Sequence, residues 1–236
     1  MSGLHLSQSG RSDPAPIFCT LAAVRTPVLD VFRPGVRGLA RIYLGLRLAG
    51  TEHIPPEGAV LIVPNHQTYA DPVLVTIPVR RPVYYMAWSR LFEIRGLGRL
   101  IRRLRAFPVQ LESRDPRATR EAVRLLQAGE AVMIFPEGER SADGTVGRFK
   151  LGAFRLAASL GVPVLPVAIA GGHASWPRGR ALPRPGRMTI TYHPLVHPET
   201  GGDPREAARD LADRTRGAIV RSLADHHPGH TVPPGR

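Results

Sequence analysis

Three uninterrupted apolar runs, at residues 59–63, 131–135 and 164–169, constrain this chain more than any other feature. An apolar run without alternation belongs to a strand covered on both faces, and such strands sit inside parallel sheets flanked by helices. Three further runs, at 83–87, 106–109 and 187–192, read as strands of the same sheet. Helical segments lie between them. Asp115-Pro116 offers a cap and a first-turn proline, and Gly129 closes that segment after Leu125-Leu126. Asp203-Pro204 opens another, whose Ala208, Leu211, Ala212, Thr215, Ile219 and Leu223 share one face. Strands alternating with helices predict an α/β fold: a single domain with a mostly parallel, covered sheet of about six or more strands. Residues 17–48 read as helical with breaks at Pro27 and Pro34, so N-terminal helices precede the sheet.

A chain of 236 residues has room for one such core. Residues 1–16, rich in Ser, Gly and Pro, read as a disordered leader, and 226–236 as a frayed tail. Residues 17–50 form an N-terminal helical segment suited to membrane contact, and 51–225 the main domain. No stretch reaches the roughly 20 apolar residues of a membrane span, and no signal-peptide layout is present. The single cysteine, Cys19, excludes an intramolecular disulfide and fits a reducing compartment. The expectation is a cytoplasmic chain, soluble or peripheral on the cytoplasmic face of a membrane.

The charge is lopsided: 32 Lys+Arg against 19 Asp+Glu, a formal +13, with Lys150 the only lysine. Part of this excess is a compositional bias toward arginine, and part suits an anionic partner. Nucleic acid is the weaker of those partners, because aromatics are only 6%, no nucleic-acid motif appears, and the arginines are dispersed. An anionic membrane surface and an acidic protein remain.

Polar clusters follow two of the apolar runs. After the first comes Asn65-His66-Gln67-Thr68-Tyr69-Ala70-Asp71. Residues five apart sit about 140° from each other on a straight helix, so His66 and Asp71 meet best across a strand-to-helix turn. Pro72 supports that turn, since it disfavours helical geometry at Asp71 and suits a first helical position. A carboxylate on one imidazole nitrogen leaves the other free to take a proton from a hydroxyl. A histidine capping a turn and an aspartate capping a helix satisfy the same spacing. After the second run comes Phe135-Pro136-Glu137-Gly138-Glu139-Arg140-Ser141, a carboxylate and a guanidinium around a glycine. Arg140 offers a fork for phosphate or carboxylate, or pairs with Glu137 or Glu139 on the surface.

Together these clusters resemble the glycerolipid acyltransferase family typified by 1-acyl-sn-glycerol-3-phosphate acyltransferases. Asn65-His66-x4-Asp71 resembles its first motif, and residues 135–141 its Phe-Pro-Glu-Gly-Thr-Arg-Ser motif, with Glu139 in place of threonine. Phe149-Lys150-x-Gly152-Ala153 and the Val-Pro-Val stretch that begins at Val162 also match in order, over about residues 33–196. The resemblance implies that His66 deprotonates an acceptor hydroxyl, which attacks an acyl thioester directly, and that Asp71 orients His66. It implies that Glu137, Gly138 and Arg140 bind the acceptor head group, and that residues 51–225 are the acyltransferase domain. Lys150 falls on a family lysine, as a cation near the substrate or a bystander on a helix.

Leu111 stands where the family's second motif carries an arginine for the acceptor phosphate, and the flanking Arg105 and Arg114 are its substitutes here. The acceptor implied is a lysophospholipid, lysophosphatidate, giving phosphatidate; the change at Leu111 keeps open another lysolipid, a lyso-aminolipid or glycolipid. No cofactor is expected, only an acyl-CoA or acyl-carrier-protein thioester as co-substrate. A covalent intermediate is disfavoured, because Cys19 lies far from the motifs and no Gly-x-Ser-x-Gly elbow exists. No metal-ligand spacing falls near the motifs, and His226-His227-x2-His230 reads as a solvated tail. Finally, Leu97, Leu100, Ile101 and Leu104 form one helical face, with Arg95, Arg99, Arg102 and Arg103 opposite. That pattern fits an interfacial helix or a helix packed on the core.

Overall fold

A computed structural model describes residues 27–110, 115–199, 201 and 203–226. The leader at 1–16, Cys19, Leu111, Arg114 and the tail beyond His226 lie outside the described residues, with the expectations placed on them. Seven strands form one sheet: β1 (Arg47–Ala49), β2 (Val60–Pro64), β3 (Val83–Trp88), β4 (Ala106–Val109), β5 (Ala131–Met133), β6 (Val164–Ala170) and β7 (Thr189–Tyr192). Their spatial order is β1-β7-β6-β2-β5-β3-β4. All neighbours are parallel except β6 and β7. The link between those two, residues 171–188, holds only the short helix α6 (Gly172–Ser175).

The apolar runs are continuous because successive side chains of β2 enter two different cores. Val60 and Ile62 pack with α1 (Pro27–Tyr43), α2 (Asp71–Thr76) and α3 (Leu97–Arg103). Leu61 and Val63 pack on the other face with α4 (Pro116–Gln127), α5 (Gly152–Leu160) and α7 (Pro204–His226). Both helix starts expected from the sequence are present. Asp115 caps α4 by accepting from the Arg117 and Ala118 N–H groups at 2.9 and 3.1 Å. On α7, Ala208, Leu211, Ala212, Thr215 and Ile219 are buried, as their shared face requires.

The N-terminal segment differs from its expectation. α1 runs through Pro34 without a break, because Pro34 lies on the exposed side, where solvent can take the carbonyl left without a partner. The helix ends at Tyr43, and Gly45, at φ +53°, turns the chain into β1. β1 is an edge strand of three residues with one half-buried side chain, too short to show periodicity in sequence. The stripe on α3 is divided: Ile101 is buried and Leu104 half-buried, whereas Leu97 and Leu100 are 37% and 50% exposed. Among the described residues, no helix is long and apolar enough to cross a membrane.

The chain leaves β2 toward β3 and β4 on one side, returns through β5, and crosses to β6 on the other side. The carboxyl ends of β5, β2 and β6 therefore flank a topological switch point, where open α/β sheets form their crevices.

Candidate active site

His66 lies two residues past β2, and its ring stacks on Phe135, two residues past the neighbouring β5, with centroids 4.0 Å apart. The two clusters thus meet because their strands are adjacent. Asp71 is the first residue of α2, but its side chain turns back over the preceding loop. Oδ2 accepts from the Gln67 and Thr68 N–H groups at 2.6 and 2.8 Å and lies 2.9 Å from His66 Nδ1. Oδ1 accepts from the Thr68 hydroxyl at 2.5 Å. Asp71 is fully buried, and the His66 side chain is 19% exposed. A carboxylate already facing two N–H donors takes a third from Nδ1–H, so the tautomer is set and Nε2 carries the free lone pair.

The backbone around His66 is held from three sides. Its N–H donates to Glu137 Oε1 at 2.8 Å, and its carbonyl accepts from the Ser141 N–H at 2.8 Å. Asn65, fully buried, bonds both backbone groups of Ile169 on β6, at 3.1 and 2.7 Å. Gln67 donates to the Gly144 carbonyl and accepts from the His173 N–H. Loops following β2, β5 and β6 are thereby tied into one rim.

Glu137 ties two loops together. Its second oxygen accepts from the Gly147 N–H at 2.8 Å, so both oxygens are committed to backbone donors. The side chain thereby positions the His66 backbone. Burial pushes the Glu137 carboxyl above the usual carboxylate range, outweighing the two N–H groups that favour its charged form.

Arg140 pairs with neither glutamate. Its guanidinium lies 3.5 Å over the ring of Tyr69, and Nη1 is buried with no hydrogen-bond partner among the described residues. Glu139 instead meets Arg178 at 3.1 Å in an exposed pair that contributes little to stability. Gly138 takes φ +79°, and a Cβ there would run into the Lys150 side chain. Lys150 precedes α5 rather than lying on a helix, and its backbone N–H bonds the Pro136 carbonyl at 2.9 Å. His66, Asp71, Glu137, Gly138, Arg140 and Lys150 therefore come together at the carboxyl ends of β2 and β5.

Arg105 does not join them. It precedes β4, three strand positions from β2, and its Nη1 donates to the Tyr84 hydroxyl at 2.7 Å. Tyr84 packs in the core on the α4 side, whereas Phe135 packs in the core beneath α2, so Arg105 and the Phe135–His66 stack go with opposite faces of the sheet. Arg114 lies outside the described residues. Sequence reasoning passed over Asn65, Gln67 and Thr68 as site residues. Thr68, three before Asp71, carried a local signal for a side-chain-bonded turn; the partners of Asn65 and Gln67 lie far along the chain and left none.

The arrangement is a histidine base oriented by a buried carboxylate, beside a guanidinium with an uncommitted donor. It can deprotonate a hydroxyl on a molecule whose anionic group sits against Arg140. The sequence model of the family described as Acyltransferase matches residues 45–170, more than half of the chain. This chain belongs to that family.

The matched segment holds β1 through β6 and every member of the His66 cluster named above. A 1-acyl-sn-glycerol-3-phosphate acyltransferase of Chlamydomonas reinhardtii is 31% identical over 182 residues, covering 75% of this chain and 52% of the relative. One from Bacillus subtilis is 27% identical over 154 residues, 65% of this chain and 74% of that protein. The chain spans about half the length of the algal relative and of the chloroplast relatives it matches. Among solved structures, the 1-acyl-sn-glycerophosphate (LPA) acyltransferase PlsC from Thermotoga maritima superposes with a TM-score of 0.71 at 29% identity. That match covers 87% of this chain and 82% of the other, and it includes the same single-domain, mostly parallel sheet.

Proposed function

We propose that this acyltransferase moves a fatty acyl group from an acyl thioester to the free hydroxyl of lysophosphatidate, giving phosphatidate. The observation that carries the reading is the pairing of two groups: a histidine whose Nδ1 is held by buried Asp71, and Arg140 with a buried Nη1 unpartnered among the described residues. His66 Nε2 takes the hydroxyl proton as the oxygen attacks the thioester carbonyl carbon. The C–S bond then breaks, and the imidazolium returns its proton to the departing thiolate. Asp71 holds the ring and stabilises the imidazolium between those two steps. Arg140 and Lys150 receive the acceptor phosphate, and the Tyr69 ring 3.5 Å away holds the Arg140 guanidinium in place.

The enzyme works peripherally, on the cytoplasmic face of a membrane. Support comes from α1, where Leu39 and Ile42 are 68% and 88% exposed beside Arg37 and Arg41. Apolar side chains next to arginines suit the boundary between head groups and acyl chains.

An acceptor panel tests the reading. Purified enzyme is given one thioester donor and lysophosphatidate, lysophosphatidylethanolamine, lysophosphatidylcholine, a lyso-aminolipid or a lysoglycolipid, and thiol release is followed. Preference for lysophosphatidate is expected; equal or better turnover of an acceptor lacking a phosphomonoester overturns it.

A further inference from the structure

A second cationic feature lies outside the His66 cluster. Arg37 and Arg41 on α1, Arg47 at the start of β1 and Arg187 just before β7 line one cleft of about 630 Å³. The backbone builds this convergence: the Arg47 N–H bonds the Met188 carbonyl at 2.9 Å, and the Met188 N–H bonds the Leu44 carbonyl at 2.9 Å. All four arginines are exposed, and none of their side chains makes an ion pair or hydrogen bond among the described residues. Arg37 and Arg41 are also helical neighbours four apart, a like-charge arrangement that weakens a helix. Four uncompensated guanidiniums around one cleft repel each other unless an anion is bound there.

The cleft faces the same way as the catalytic histidine. β7 runs antiparallel to β6, and Ala170 at the end of β6 pairs with Thr189 at the start of β7. The starts of β7 and of its parallel neighbour β1 therefore lie at the sheet edge that carries His66. α1 packs in the same core as α2 and Phe135, and Tyr192 of β7 donates to the Val75 carbonyl of α2 at 2.6 Å. From β2 to β1 is three strand steps, roughly 14 Å across the sheet.

Resting on the acyl-transfer reading above, we infer that this cleft binds the nucleotide phosphates of a coenzyme A thioester. The charge decides the class of ligand. One lipid phosphate is satisfied by one or two guanidiniums, whereas coenzyme A carries a phosphomonoester of roughly −2 and a diphosphate of about −2 more, matching four arginines. The volume also lies in the range of a small-molecule site, roughly 300–1,000 Å³. The pantetheine arm then spans the sheet edge and delivers the thioester to His66, while the acceptor phosphate keeps Arg140 and Lys150. Donor and acceptor thus have separate phosphate sites on either side of the base.

The test uses the full chain and adenosine 3′,5′-bisphosphate, which has neither the pantetheine arm nor an acyl chain. In the wild type this probe binds calorimetrically and competes with acyl-CoA. In Arg47→Gln/Arg187→Gln, and in Arg37→Gln/Arg41→Gln, its binding weakens about tenfold or more and the KM for acyl-CoA rises to match. In Arg47→Gln/Arg187→Gln, which leaves the membrane-facing arginines of α1 in place, the KM for lysophosphatidate stays within about twofold, which separates a donor site from a general loss of fold or of membrane binding. Unchanged probe binding and unchanged donor KM in both variants overturn the inference. So does loss of binding to phosphatidylglycerol vesicles with donor KM intact, which makes the cleft a lipid-headgroup site. Turnover of acyl-carrier protein but not of acyl-CoA by the wild type overturns it as well. Probe binding that depends on the arginines, without consumption of any thioester, leaves the cleft standing and removes the acyl-transfer reading instead.

Discussion

Asp71 offers the sharpest test, because its substitution by asparagine and by alanine should separate chemistry from architecture. Its oxygens face four donors: the Gln67 and Thr68 N–H groups, the Thr68 hydroxyl and His66 Nδ1. Asparagine is isosteric and can place its single oxygen at the Oδ2 position, where three donors converge, leaving its amide to face the Thr68 hydroxyl. The change then replaces charge-assisted bonds by neutral ones, a loss of about 1 kcal/mol per bond and roughly 1–3 kcal/mol in all. Alanine strands the donors in a buried loop. At about 1–3 kcal/mol for each unsatisfied group, its two backbone N–H groups alone account for roughly 2–6 kcal/mol. For catalysis the order of severity reverses in meaning: asparagine keeps the loop but no longer stabilises the imidazolium, and a kcat loss of about 10³–10⁴ is expected. Urea unfolding gives the stabilities and thioester consumption gives kcat. An Asp71→Asn enzyme within about tenfold of wild-type kcat would falsify the role given to the pair. An Asp71→Ala protein no less stable than Asp71→Asn would refute the hydrogen-bond reasoning.

Three further outcomes follow from the same geometry. His66→Ala should abolish acyl transfer and lower stability by only about 0.5–1.5 kcal/mol, the value of its stack on Phe135; measurable turnover in that variant removes the base. Arg140→Ala should raise the KM for lysophosphatidate about 10–100-fold with a smaller effect on the donor, and an unchanged acceptor KM counts against the phosphate site. Glu137, whose carboxyl burial pushes upward, should make the protein lose stability as pH rises from the ordinary glutamate range through its raised value. The sign follows because the folded state there holds a proton the unfolded state has released. Comparing Glu137→Gln with wild type by thermal melts from about pH 4 to 7 checks this, and a wild-type advantage that grows with pH contradicts it.

What the sequence determined by itself is whatever depends on near neighbours. Alternating side chains of β2 enter two cores, so an unbroken apolar run announces a covered strand. The His66-to-Asp71 turn is likewise local, because Pro72 and the Thr68 side chain act within a few residues of the carboxylate. Other decisions belonged to the tertiary structure. Arg105 is close in sequence to the expected second motif, yet it bonds Tyr84, which packs on the face of the sheet opposite the Phe135–His66 stack. Glu137 reaches the His66 N–H, 71 residues away in sequence, and the Gly147 N–H, and no spacing pattern announces either bond. The four-arginine cleft joins α1 and β1 to β7 across some 140 residues of chain, and no short-range pattern carries that contact. β1 itself half-buries one side chain and is a strand only because β7 supplies its hydrogen bonds. Spacing along a chain reports side chains that meet within a turn or a strand, whereas the pairing order of strands decides which distant charges share a cleft.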